Sequence, residues 1–231
     1  MSSIKRSWRP VACARGFYAR DYDASQPNPC HARRPVASPV DWYAARFSYP
    51  DLDRLESQVP SIFTHAVVGI GLARIFTARS MPASYWLLAA SLSMLPDLDV
   101  IAFAFGIPYG ARFGHRGFAH SLFFALLVSA AAATWLYRRF PTDGWLLWAT
   151  FFVITASHGI LDAFTNGGMG IALLAPFDWS RLFFAWTPIQ VSPIGLGFFS
   201  AWGLRAFLSE VLWVWLPLGI VVAGVTFFRW H

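Results

Sequence analysis

Five apolar runs follow one another after residue 60, over 62–78, 83–105, 118–137, 145–164 and 208–228. Each approaches the roughly 20 residues that carry an α-helix across a bilayer. The pattern predicts an all-α fold, a polytopic membrane bundle of about five membrane helices. Pro96 interrupts the second run, and a proline there removes a ladder hydrogen bond and clashes with the preceding turn, so a kink or break is expected. Between 165 and 205 the chain is rich in Gly, Pro, Trp and Phe ("NGGMG", "APFDW", "WTPIQVSPIG") with no stretch long enough to span. It reads as an interfacial loop placed to lid a site. Its tryptophans, with Trp145, Trp213 and Trp230, suit the headgroup region.

Residues 1–58 differ from everything that follows. They are rich in Arg, Pro, Ser and Asp, with no sustained period, and are expected to form a basic, disordered tail ahead of a membrane-embedded domain over 59–231. Arg15 and Arg20 break the one early apolar stretch, so no cleavable signal peptide is expected.

Composition agrees with the membrane reading. The chain is 56% hydrophobic and 13% charged, with a mean hydropathy of +0.47, too little polar surface to cover a water-soluble globule. The net charge of +6 does not point to nucleic acid. Lys5 is the single lysine, and half of the 18 basic residues fall in the first 60 positions, leaving the remainder thinly spread. Cys13 and Cys30 lack the spacing of a metal site.

Against this apolar background, four short pieces carry ionisable groups: "THAVVG" with His65, "PDLD" with Asp97 and Asp99, "HRGFAHS" with His115, Arg116 and His120, and "HGILD" with His158 and Asp162. A lone histidine at a helix end is more often a cap or a core group than a ligand. Seven imidazoles and carboxylates are another matter, because ionisable groups at membrane depth are retained mainly when paired, metal-bound or facing water. His158 and Asp162 are four apart and share one helix face. In an up-and-down bundle all four pieces land on one side, near one membrane surface. Imidazole with carboxylate and no thiolate suits Zn²⁺, Mn²⁺ or Fe²⁺, and the seven donors are enough for two ions. Arg116 has two readings, a forked partner for a phosphate oxygen or a charge facing the headgroups. Ser121 lacks the surroundings of a hydrolase nucleophile and is expected to bond to a ligand from behind.

At these residues the chain resembles the family of bacterial inner-membrane, metal-dependent hydrolases typified by YdjM and YbcI. The motifs "THAVVG", "LPDLD", "GHRGFAHS", "SHGILDAFT" and "LLAPFDWSR" carry the resemblance, over about residues 61–195. It departs at Ala119, where a threonine is usual, and in the long N-terminal segment. The resemblance implies a membrane-embedded helical fold in the bacterial inner membrane and a hydrolase distantly similar to zinc-dependent phospholipase C. His65, Asp97, Asp99, His115, His120, His158 and Asp162 are then the expected metal ligands, with Arg116 and Asp99 in catalysis, and the substrate a lipid or other membrane-associated phosphoester. The alternative is a metal-binding or ion- or proton-transporting membrane protein without hydrolytic activity. The basic N-terminal segment weighs towards a site facing the cytoplasm, against Arg74, Arg79, Arg138 and Arg139 at the other end.

Overall fold

A computed structural model describes residues 58–59, 62–193 and 198–230. The tail expected over 1–58 lies, but for Gln58, outside these residues, as do Cys13 and Cys30.

Five helical segments follow the five apolar runs. Helix α1 is Ile62–Phe76, and α2, Ala83–Met94, runs directly into a 3-10 helix, Leu95–Phe105. A 3-10 turn, Phe118–His120, precedes α3, Leu122–Leu136, and α4 is Gly144–Ala163. The last segment is continuous: α5, Ala201–Glu210, passes through a π-helical turn, Val211–Trp215, into α6, Leu216–Trp230. Two-residue strands, β1 (Gln58–Val59) and β2 (Ser192–Pro193), pair antiparallel.

Three of these runs are long and apolar enough to cross a membrane: Ala83–Phe105, Gly144–Ala163 and Ala201–Arg229, with mean hydropathies of 1.6, 1.4 and 2.2. Helices α1 and α3 have 15 residues each, a rise of about 22 Å against a hydrocarbon core of about 30 Å. The third segment is shorter than its apolar run because Ser121 caps α3, its Oγ accepting the Phe124 amide at 3.0 Å. The fifth is longer at its start than hydropathy indicates. Arg205, Ser209 and Glu210 dilute its first turns, yet Ser200 Oγ accepts the Gly203 amide and starts the helix.

Pro96 has the expected effect. The α-helical ladder ends at Met94 and the chain tightens into 3-10 geometry. Helix α4 lies at the centre, packed on α1, α2 and α3. Its Leu147, Phe151 and Ile154 bury against Tyr85 and the small residues Ala73 and Ala89, which let the backbones approach. Helix α6 packs on α1, and the Arg229 guanidinium donates to the carbonyls of Arg74, Ile75 and Thr77 at 3.2, 2.6 and 3.2 Å. That fastening marks one end of the bundle, and the histidines lie at the other.

Candidate metal centre

Local structure delivers each polar group to that end. His65 is in the first turn of α1, and His158 and Asp162 stand one turn apart late in α4. Asp97 and Asp99 lie in the 3-10 helix. There a residue turns about 120°, so positions two apart sit 120° apart around the axis and are not nearly opposed as in an α-helix. His120 ends the 3-10 turn before α3, and His115 comes from the loop ahead of it. Gly159 brings α4 hard against this turn: a Cβ there would stand 2.3 Å from the His120 carbonyl oxygen.

Two imidazoles meet here, each with two carboxylates near it. His120 Nε2 lies 3.1 Å from His158 Nε2, 3.6 Å from Asp97 Oδ1 and 3.5 Å from Asp162 Oδ2. His158 Nε2 lies 3.2 Å from Asp97 Oδ1 and 4.0 Å from Asp162 Oδ2. Four tetrahedral donors bonded to one ion at about 2.0–2.2 Å are roughly 3.3–3.6 Å apart. The separations straddle that range, and His120, His158 and Asp162 form a three-donor group able to hold a small divalent cation, with Asp97 beside the two imidazoles.

Around the four stand the supports that metal-binding imidazoles need. His158 Nδ1 donates to the Ser93 carbonyl at 2.7 Å, which leaves Nε2 as the free lone pair. Asp99 sits behind two rings, its Oδ1 2.6 Å from His115 Nδ1 and its Oδ2 3.1 Å from His120 Nδ1. His65 stacks on His158 with centroids 3.8 Å apart, and its Nε2 lies 3.4 Å from Asp162 Oδ1. Two further groupings of donors are close enough for an ion, His65 with Asp97 and His158, and Asp97 with His115 and His120. All seven residues expected from the sequence are thus brought together, Asp99 through the Nδ1 side of its histidines. Among the described residues, every buried side-chain polar atom without a hydrogen-bond partner belongs to these seven or to Ser93, Tyr109 and Arg116. A cluster of buried acceptors lacking donors is what a cation site leaves behind.

Arg116 is not a charge facing the headgroups. It is fully buried, with φ +61°, a left-handed conformation that a non-glycine residue adopts only when its surroundings compel it. Its Nη1 donates to the Gly167 carbonyl at 2.6 Å and its Nε lies 3.4 Å from Asp162 Oδ2. Ser121, expected to bond to a ligand from behind, instead caps α3, its Oγ accepting the Phe124 amide.

Three groups were not anticipated. Arg181 donates to the carbonyls of His115, Gly170, Tyr109 and Ala111 at 3.0–3.4 Å, tying the loop after Thr165 to the histidine loop. Tyr109 packs edge-on to His115, and burial pushes its phenol up to about 12 against the opposing charge of Arg116, so it keeps its proton at neutral pH. Glu210 is buried in the last helix and accepts from Thr64 Oγ1 at 2.7 Å, beside His65. Its signal was present in the sequence as an acid inside the fifth apolar run.

Over residues 61–230 the chain matches the family described as YdjM inner membrane protein. It is 36% identical over 173 residues to the inner membrane protein YbcI of Escherichia coli (strain K12), a match covering 74% of this chain and 99% of that protein. No solved structure matches it significantly.

Proposed function

The chain belongs to the YdjM family of bacterial inner membrane proteins, and from that footing we propose that it is a membrane-bound metal-dependent hydrolase acting on a lipid or other membrane-associated phosphoester. The observation that carries this reading is the pair His120 Nε2 and His158 Nε2, 3.1 Å apart, with Asp97 Oδ1 and Asp162 Oδ2 each within 3.2–4.0 Å of both. In this reading His120, His158 and Asp162 would hold a divalent cation, zinc before manganese or iron, and Asp97 would serve a second, either with His65 and His158 or with His115 and His120. A cation held there would supply Lewis acidity and the means to activate water for attack on a phosphoryl centre. The protein's own part is positional. Asp99 and the Ser93 carbonyl hold the Nδ1 protons, so that the Nε2 lone pairs of His115, His120 and His158 face inward. Arg116 places a fixed positive charge beside Asp162.

The distribution of charge favours an enzyme over a conduit. Among the described residues, the buried Asp, Glu, His and Arg side chains all lie at the site end: the seven donors but for the less buried Asp99, Arg116, and Glu210 beside Thr64. A path for ions or protons needs such groups along the bundle. Elemental analysis of the detergent-purified protein tests the reading, together with release of product from phosphoester substrates before and after chelation. One or two equivalents of a transition metal and chelator-sensitive turnover are expected. Metal-free active protein, or metal-loaded protein inert towards every phosphoester tried, overturns it.

A further inference from the structure

Two donors near the cluster have no task in holding a cation. The Tyr109 hydroxyl and Arg116 Nη2 are both buried; Nη2 has no hydrogen-bond partner among the described residues, and the phenol, whose oxygen faces the Met169 amide, has no acceptor there for its proton. Donors left unsatisfied in a dry interior are costly, and they are kept where a ligand completes them. The two side chains meet under one glycine. Gly168, with φ +88°, passes over them so closely that a Cβ would lie 2.5 Å from Arg116 Nη1 and 3.0 Å from the Tyr109 hydroxyl oxygen. Arg116 is not free to turn away, since Nη1 is spent on the Gly167 carbonyl and Nε faces Asp162.

We propose that Tyr109 and Arg116, under the glycine turn at 167–170, form an anion subsite beside the metal donors that binds phosphoryl oxygens of the substrate. It rests on the hydrolase reading and names the group that gives the site its choice of phosphorus over carbon centres. A guanidinium offers only protons to a ligand and a neutral phenol can donate one more, which suits the non-bridging oxygens of a phosphoryl group. Asp162 ties the subsite to the metal cluster, one oxygen being within 3.4 Å of Arg116 Nε and 3.5 Å of His120 Nε2. Any Cβ at position 168 would press on both donors.

The test is titration of the metal-loaded protein in maltoside micelles with inorganic phosphate, followed by calorimetry, with metal content measured on the same samples. Tyr109→Phe removes one hydroxyl and keeps the ring. Phosphate affinity is expected to fall on the order of tenfold, the loss of one hydrogen bond to a charged group, with metal content unchanged. Gly168→Ala, which puts a methyl between the donors, is expected to weaken phosphate at least as much. Phosphatidic acid added to the micelles separates the sources: competition with phosphate identifies a lipid headgroup, and no competition a soluble phosphoester. Equal phosphate affinity in wild type and Tyr109→Phe, at equal metal content, overturns the subsite and leaves the hydrolase reading standing. Protein that binds phosphate through Tyr109 but carries no metal keeps the subsite and overturns the metal chemistry.

Discussion

Asp99→Asn separates a carboxylate that holds a metal from one that holds the histidines. In the structure Asp99 offers one oxygen to His115 Nδ1 at 2.6 Å and the other to His120 Nδ1 at 3.1 Å. Asparagine keeps the shape, but one of its two ends becomes an NH₂ group. That end meets an Nδ1–H, donor against donor, and one imidazole must move its proton to Nε2, the nitrogen that faces the cluster. The lone pair needed for a cation is then lost for part of the population. Outer partners of this kind are worth roughly 10–100-fold in metal affinity, or about 1.4–2.7 kcal/mol. The assay is competition with a chromophoric chelator, alongside elemental analysis at saturating zinc. Full stoichiometry is expected, with affinity reduced within that range. Complete loss of one equivalent at saturation would make Asp99 a direct ligand, and unchanged affinity would deny it any part.

His158→Ala and Asp162→Ala are each expected to lower metal content, since both belong with His120 to one three-donor group; full stoichiometry in either refutes that group. Asp97→Asn is expected to weaken metal binding strongly and Asp143→Asn not at all, because Asp143 only precedes α4 at the far end of the bundle; equal metal content in the two breaks the assignment. Arg116→Lys keeps the charge and loses the fork, so turnover is expected to fall at least tenfold with metal retained, and wild-type turnover would return Arg116 to a structural role. A reporter fused after Arg139 is expected to report the periplasm and one within the N-terminal segment the cytoplasm, as the nine basic residues before position 60 demand. Arg229 lies with Arg74 at the far end and weighs against this, so a cytoplasmic signal after Arg139 would put the site on the outer face.

What the sequence made legible follows from how strongly an apolar background exposes its exceptions. His65, Asp97, His120, His158 and Asp162 stand out because nothing in a lipid-facing helix tolerates them singly, and chain direction alone brings them to one end. The break at Pro96 was legible for a similar reason, a covalent ring with no N–H. Arg181 was not, because its partners are four backbone carbonyls that leave no mark in side-chain identity. Nor was the support of His158, which comes from the main chain of Ser93. Asp99 could be read as one of the cluster, but whether a carboxylate meets a cation or an imidazole proton depends on a 120° turn of a 3-10 helix. The start of α5 was missed because hydropathy averaged across Arg205 and Glu210, while the cap at Ser200 was local and decisive.

The contact of Gly159 with the His120 carbonyl makes the site depend on a residue that donates nothing. Two segments that carry the clustered side chains are spaced there by main chain against main chain, and His158 is fixed by Ser93 on a third. The separations among the imidazoles and carboxylates are thus written into backbone contacts as well as into the side chains themselves. A methyl group at position 159 would push α4 away from the turn that carries His120 and spread the cluster, while every ionisable group remained in the chain.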